Sequence, residues 1–222
     1  FRGRGACALA DEPFYGAVLK STGMRQPMAD RVIASMDTDW DLISETMNGS
    51  IPNDKTIWYQ KHMPHHMVRA VSIADFPNHR HAFLIRDPAR VVASYAAKRV
   101  EVTVEDLGYE RQLEYVDQST QLSGKAPIVL DSADILEDPE AYLEALCEGL
   151  DIAWNPGMLK WETGGRETDG IWASHWYNRV VETTGFAPPE SKKVTKLSAA
   201  QQRISDDCQP FYERLSSYKI KL

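Results

Sequence analysis

Two hydrophobic rhythms alternate along this chain. Four short apolar runs, at residues 6–10, 56–60, 82–85 and 128–130, have the length and composition of strands buried on both faces. Each is followed by polar or turn residues and then by a stretch with helical spacing. That alternation predicts an α/β fold in which helices cover a parallel sheet. Asp87-Pro88 and Asp138-Pro139 each set an N-cap acid before a proline at the first helical position, where a missing N–H costs nothing. Further helical patterns run over 30–48, 104–122 and 198–215. Residues 161–189 break both rhythms with Gly164, Gly165 and the tryptophans Trp161, Trp172 and Trp176, which predicts a long loop packing over another part of the protein.

At 222 residues, with 43% hydrophobic and 26% charged positions, the chain suits one domain covering 1–222 with one sizeable core. Its formal net charge of -7 argues against nucleic acid or an anionic membrane as the main partner, so an anionic ligand would need a local basic pocket. No apolar run approaches the roughly 20 residues of a spanning helix. Cys7, Cys147 and Cys208 are odd in number and far apart, which fits neither a disulfide framework nor a CxxC metal site and predicts a reducing, cytoplasmic setting. Phe1 is not an initiator methionine, and the reading is that the sequence begins partway through a larger protein.

Candidate chemistry gathers at four predicted strand ends or loops. The run at 82–85 leads straight into Arg86 and the helix opening at Asp87-Pro88. Ligands of open parallel sheets sit at the carboxyl ends of strands, and a guanidinium beside a helix N-terminus makes an anion site. The alternative is an ion pair of Arg86 with Asp87 or another carboxylate. After the second strand come Lys61, His62, His65 and His66. His62 could act as a general base near neutral pH and Lys61 could offset negative charge. The histidines invite a metal reading, but Pro64 disrupts regular presentation and no carboxylate or cysteine has ligand spacing. After the first strand, Asp11 and Glu12 could orient the histidine or act as base, or simply cap the next helix. In the late loop, Gly164 and Gly165 permit close backbone approach, and Arg166 can meet phosphate or stay solvated. Phe14, Tyr15, Trp172 and Trp176 could line an apolar acceptor pocket or belong to the core.

Taken in order, these segments resemble the sulfotransferase family that uses 3'-phosphoadenosine 5'-phosphosulfate (PAPS), in its bacterial-type, P-loop-like branch. Arg86 through Ser94 is similar to the family's 3'-phosphate motif, an arginine and a serine eight residues apart. The resemblance gives Arg86 and Ser94 that role, makes His62 the candidate base within Lys61-His62-Met63-Pro64, and sets Gly165 and Arg166 over the 3'-phosphate. Ser132 stands where an adenine-stacking aromatic is common. The implied architecture is a three-layer α/β/α fold with a parallel central sheet, P-loop NTPase-like, lacking its N-terminal strand and 5'-phosphosulfate loop, which would lie upstream of Phe1. The implied donor is PAPS, leaving 3'-phosphoadenosine 5'-phosphate (PAP), with no metal. The implied partner is a small-molecule acceptor bearing a hydroxyl or amine, with no nucleic acid and no membrane, and a homodimer is left open. Two rival readings are a P-loop phosphotransferase using ATP and Mg²⁺, with Asp11 or Asp131 holding the metal, and a non-catalytic nucleotide-binding protein of the same fold.

Overall fold

The structure, a computed structural model, describes residues 1–68, 71–99, 101–166, 168–178, 180–189 and 196–222. In chain order the elements are β1 (Cys7–Asp11), α1 (Tyr15–Thr22), α2 (Ala29–Ser35), α3 (Trp40–Met47), β2 (Ile57–Lys61), β3 (Ala82–Ile85), α4 (Pro88–Ala96), α5 (Val104–Leu107), α6 (Tyr109–Ser123), β4 (Ile128–Asp131), α7 (Ser132–Glu137), α8 (Pro139–Gly149), α9 (Ala173–Trp176) and α10 (Ala199–Ser216). The chain divides into two compact units, 1–78 with 155–186, and 79–154 with 187–222. Each holds one two-stranded parallel sheet.

In the first unit β1 and β2 run in parallel register, Cys7 beside Ile57 through Asp11 beside Lys61. Phe14, Tyr15, Val18, Leu19, Val32 and Ile43 fill its core. The helical pattern at 30–48 resolves into two helices. Asp39 caps α3 by accepting from the backbone N–H groups of Asp41 and Leu42 at 3.0 and 3.1 Å, and Asp37 accepts from the N–H of Asp39. Short acidic side chains bond locally to the backbone more readily than they continue a helix, and so the segment breaks there.

In the second unit β3 and β4 pair from Ala82 beside Ile128 to Ile85 beside Asp131. The reading of β3 as buried on both faces is corrected: Phe83 and Ile85 point inward while Leu84 is 60% exposed. An unbroken apolar run conceals its period of two, because no polar residue marks the outer face. The pattern at 104–122 splits at Gly108, whose left-handed φ of 69° ends α5 and opens α6. Helix α10 packs on α4 and α6, and Ile220 then donates from its backbone N–H to the carbonyl of Val129. Asp87 and Asp138 cap α4 and α8 as their sequence signals predict, and Ser198 caps α10.

Asp131, 2% exposed, ends β4 and caps α7 through the N–H of Ala133 at 2.9 Å, and it also accepts from the Tyr212 hydroxyl at 2.7 Å. Tyr212→Phe removes a hydrogen bond to a buried carboxylate and should lower unfolding free energy by about 1–2 kcal/mol in denaturant titration.

Candidate active site

Parallel register alone sets Asp11 and Lys61 side by side at the carboxyl ends of β1 and β2. Consecutive residues of a strand point to opposite faces, so Glu12 would ordinarily turn away from both. Its backbone instead enters the left-handed region at φ 51°, while its N–H donates to the Lys61 carbonyl at 2.9 Å. A non-glycine residue held there stores strain, of a kind that concentrates at functional sites. The outcome is that both neighbouring carboxylates converge on one ammonium. Lys61 Nζ lies 3.3 Å from Asp11 Oδ1 and donates to Glu12 Oε1. Glu12 is therefore no helix cap: α1 begins at Tyr15 with no side-chain cap bond, and the Glu12 carboxylate serves the cluster.

The third partner of Lys61 arrives from the late loop. Tyr177, just past α9, presents its hydroxyl to accept from Lys61 Nζ at 2.8 Å and donate to Asp11 Oδ2 at 2.7 Å, with Glu12 Oε1 at 3.3 Å. The ammonium also lies 5.1 Å from the centre of the Tyr177 ring. Burial works against charge on Lys61, but Glu12, Tyr177 and Asp11 outweigh it and hold the ammonium above the ordinary lysine value. For Glu12 burial wins over Lys61, and its carboxyl is raised.

Beneath this cluster, His66 is 6% exposed, stacks on Tyr15 at 4.5 Å, and places Nδ1 3.7 Å from Glu12 Oε2. Burial, followed by the nearby His65, Lys61 and His62, holds its imidazole well below 6.5. His62 faces a different environment. Its Nε2 meets Gln60 Oε1 at 3.2 Å, and its ring lies 5.8 Å from both Phe14 and Phe76. Lys61 and His62, adjacent in sequence, thus have separate surroundings.

A pocket of about 250 Å³ opens over one face of the β1–β2 pair. Leu9, Asp11, Tyr59 and Lys61 form its floor, and Arg166, Tyr177 and Val180 line it from the late loop. Arg166 Nε pairs with Asp169 Oδ1 at 2.9 Å, and its backbone N–H donates to Asp169 Oδ2. Gly164, at φ 100°, bonds its N–H to the Val181 carbonyl at 2.7 Å, while Gly165 is exposed. The late stretch therefore does pack over another segment, although Glu167 and Arg179 within it lie outside the described residues. Phe14, Tyr15 and Trp172, candidates for an acceptor pocket, are core residues at 1–3% exposure.

In the second unit, Arg86 follows β3 directly and its carbonyl accepts from the Tyr109 hydroxyl at 2.5 Å. Asp87 accepts from the N–H of Arg90 at 3.1 Å, which fixes the opening turn of α4. Ser94 lies exposed two turns further along. The structure thus lines one pocket with Asp11, Lys61 and Arg166, sets Glu12 against Lys61, and places Arg86 and Ser94 on the β3–α4 segment. Sequence reasoning missed Tyr177 and His66 as members of the cluster. Tyr177 lies 166 residues from Asp11, and only the odd composition of 161–189 hinted at it.

Comparison with known proteins adds an independent line. A family model described as Sulfotransferase domain matches residues 1–218. Two curated proteins of Arabidopsis thaliana, Branched-chain-amino-acid aminotransferase-like proteins 2 and 1, are 30% and 31% identical over 97% and 95% of this chain. The chain spans only 38% and 37% of their lengths. A solved Sulfotransferase Domain from the Curacin Biosynthetic Pathway covers 88% of this chain and 78% of its own at 13% identity, with a TM-score of 0.37, too low to carry an argument.

A histidine whose pKa is depressed on folding binds its proton more readily when unfolded, so it withdraws stability as pH falls through 6.5. Wild-type protein should therefore lose thermal stability relative to His66→Phe between pH 7 and pH 5, measured by paired melting curves. Parallel curves would place His66 outside the buried, neutral state described.

Proposed function

Because the chain belongs to the sulfotransferase domain family, we propose that it transfers a sulfuryl group from PAPS to a hydroxyl or amine of a small-molecule acceptor. In the transfer the acceptor heteroatom bonds to sulfur, the bond from sulfur to the bridging phosphate oxygen breaks, and PAP leaves with the electron pair. The acceptor proton passes to a base. Such in-line transfers depend chiefly on positioning and on charge stabilisation, by analogy with phosphoryl transfer.

The single observation that carries this reading is the family match over nearly the whole chain, and the Lys61 cluster gives it chemistry. Lys61, kept charged by Glu12, Tyr177 and Asp11, supplies the positive charge for the leaving oxygen. Two bases are at hand. Of His62 and Glu12, the latter has the more suitable surroundings, since burial raises its carboxyl and it lies beside a hydroxyl. Arg86 and Ser94 take the 3'-phosphate, with the positive end of the α4 dipole adding to their attraction. Within the first unit, Gly165 and Arg166 are the residues we assign to the donor, which requires Arg166 to share its charge between Asp169 and phosphate.

We assign both units to one domain of the three-layer, P-loop-like kind. The phosphotransferase alternative meets an obstacle at either aspartate offered for its metal, because Asp131 caps α7 and Asp11 is bonded to Lys61 and Tyr177. No helix among the described residues is long and apolar enough to cross a membrane. The three cysteines are free, which fits the reducing, cytoplasmic setting we assign.

Calorimetry should show PAP binding to the wild type and a loss of about 1.5–3 kcal/mol on Arg86→Ala, the range for hydrogen bonds to charged groups. Equal PAP affinity in the two proteins would overturn the 3'-phosphate assignment, and absence of PAP binding to the wild type would overturn the donor.

A further inference from the structure

Lys61 has three N–H donors, and each has a partner: Asp11, Glu12 and Tyr177. Two of these partners are carboxylates fixed at strand ends, but the third is a neutral hydroxyl brought in by the late loop. Its position between an ammonium, which can only donate, and a carboxylate, which can only accept, imposes a chemical requirement. A group seated there must accept from Lys61 and donate to Asp11 at once. A hydroxyl meets that demand, a carboxylate cannot donate, and an amine protonated at neutral pH cannot accept.

The pocket beside this seat has a matching character. Leu9, Tyr59 and Val180 give it apolar surface, Asp11, Lys61 and Tyr177 form one polar corner, and Arg166 and Thr168 supply the remaining polar lining. Its volume, about 250 Å³, falls below the roughly 300–1,000 Å³ of drug-sized sites and suits a body of about one ring. Charge points the same way. Asp11 and Glu12 share the single cation of Lys61, and Arg166 is paired with Asp169, so an anionic acceptor would approach a corner with one carboxylate charge in excess.

The geometry points to a neutral, ring-sized alcohol or phenol as the acceptor, whose hydroxyl takes the place of the Tyr177 phenol between Lys61 and Asp11. Tyr177 is then an exchangeable placeholder: it completes the Lys61 shell when the seat is empty and yields it to a ligand of the same chemistry. This deepens the sulfotransferase reading and rests on it for the word acceptor, whereas the seat itself rests on the hydrogen bonds alone. As the new oxygen–sulfur bond forms, the proton of the incoming hydroxyl leaves along its hydrogen bond to Asp11, and Glu12 Oε1, 3.3 Å from the present Tyr177 oxygen, is the neighbouring carboxylate to which it passes.

The test uses p-cresol, benzylamine and benzoate as probes, with binding measured by calorimetry at pH 7 without donor. Wild-type protein should bind p-cresol at least about tenfold more tightly than either charged probe. Tyr177→Phe keeps the ring and removes the competing hydroxyl, so it should tighten p-cresol binding by about fivefold, the worth of one ordinary hydrogen bond. Asp11→Asn, a second variant of unchanged shape, should weaken it by a similar factor. Benzylamine or benzoate binding as well as p-cresol, or Tyr177→Phe binding p-cresol no tighter than wild type, would overturn the proposal. Adding PAPS separates the two readings. The expected binding pattern without sulfated product upholds the hydroxyl seat and counts against sulfuryl transfer, while faster product from benzylamine than from p-cresol upholds transfer and removes the seat.

Discussion

One ammonium, held by two carboxylates and a phenol at the ends of two parallel strands, is the constraint on which the first unit turns. Coulomb attraction alone does not explain its standing, since taking charges out of water costs much of what pairing returns. Geometry decides the balance. Register places Asp11 beside Lys61, the left-handed turn at Glu12 adds a second carboxylate, and Tyr177 supplies the remaining acceptor. With every donor of Lys61 answered, the charge persists in a site where carboxylates are only about a tenth exposed. Removing any one member would leave a buried polar group without its partner, which costs more than the bond itself contributes.

That cluster also explains why the late loop has the composition it has. A segment of glycines and tryptophans lacks the periodicity to form a long element, yet it must deliver one phenol to a fixed point. Trp172 anchors it, 3% exposed and set edge-on against Tyr15 at 5.4 Å, and Gly164 supplies a backbone turn that side chains resist. In the second unit the same logic appears in another form. Tyr109 and Asp87 hydrogen-bond the backbone on either side of the β3–α4 junction, so Arg86 leaves a corner tied at both sides.

Local signals were legible wherever a single residue or a short repeat settles the structure. Proline after aspartate marked the starts of α4 and α8, and the four apolar runs marked the four strands within a residue or so. The resemblance around Arg86 to Ser94 led to the family that the whole-chain match then showed. What stayed hidden was of two kinds. Two long helical patterns were cut by local chemistry, the aspartates at 37 and 39 and the left-handed Gly108. The site itself depended on distance: neither the turn of Glu12 away from its strand nor the arrival of Tyr177 follows from spacing, because both are set by tertiary contacts. Asp11 and Glu12 were visible as candidates, but only the register of β1 on β2 showed that they share one cation.

The central claim is that sulfuryl transfer occurs at the Lys61 cluster, with Glu12 receiving the acceptor proton. Its most direct test is the rate of sulfated product formed from PAPS and a hydroxyl acceptor by wild type, Glu12→Gln and His62→Ala, with each variant's folding checked by circular dichroism. The account predicts that Glu12→Gln, which preserves shape but cannot take up the proton, lowers the rate by about 10²-fold or more while His62→Ala loses less. A Glu12→Gln protein within about twofold of the wild-type rate would contradict it, since general-base assistance is ordinarily worth roughly 10²–10⁴-fold.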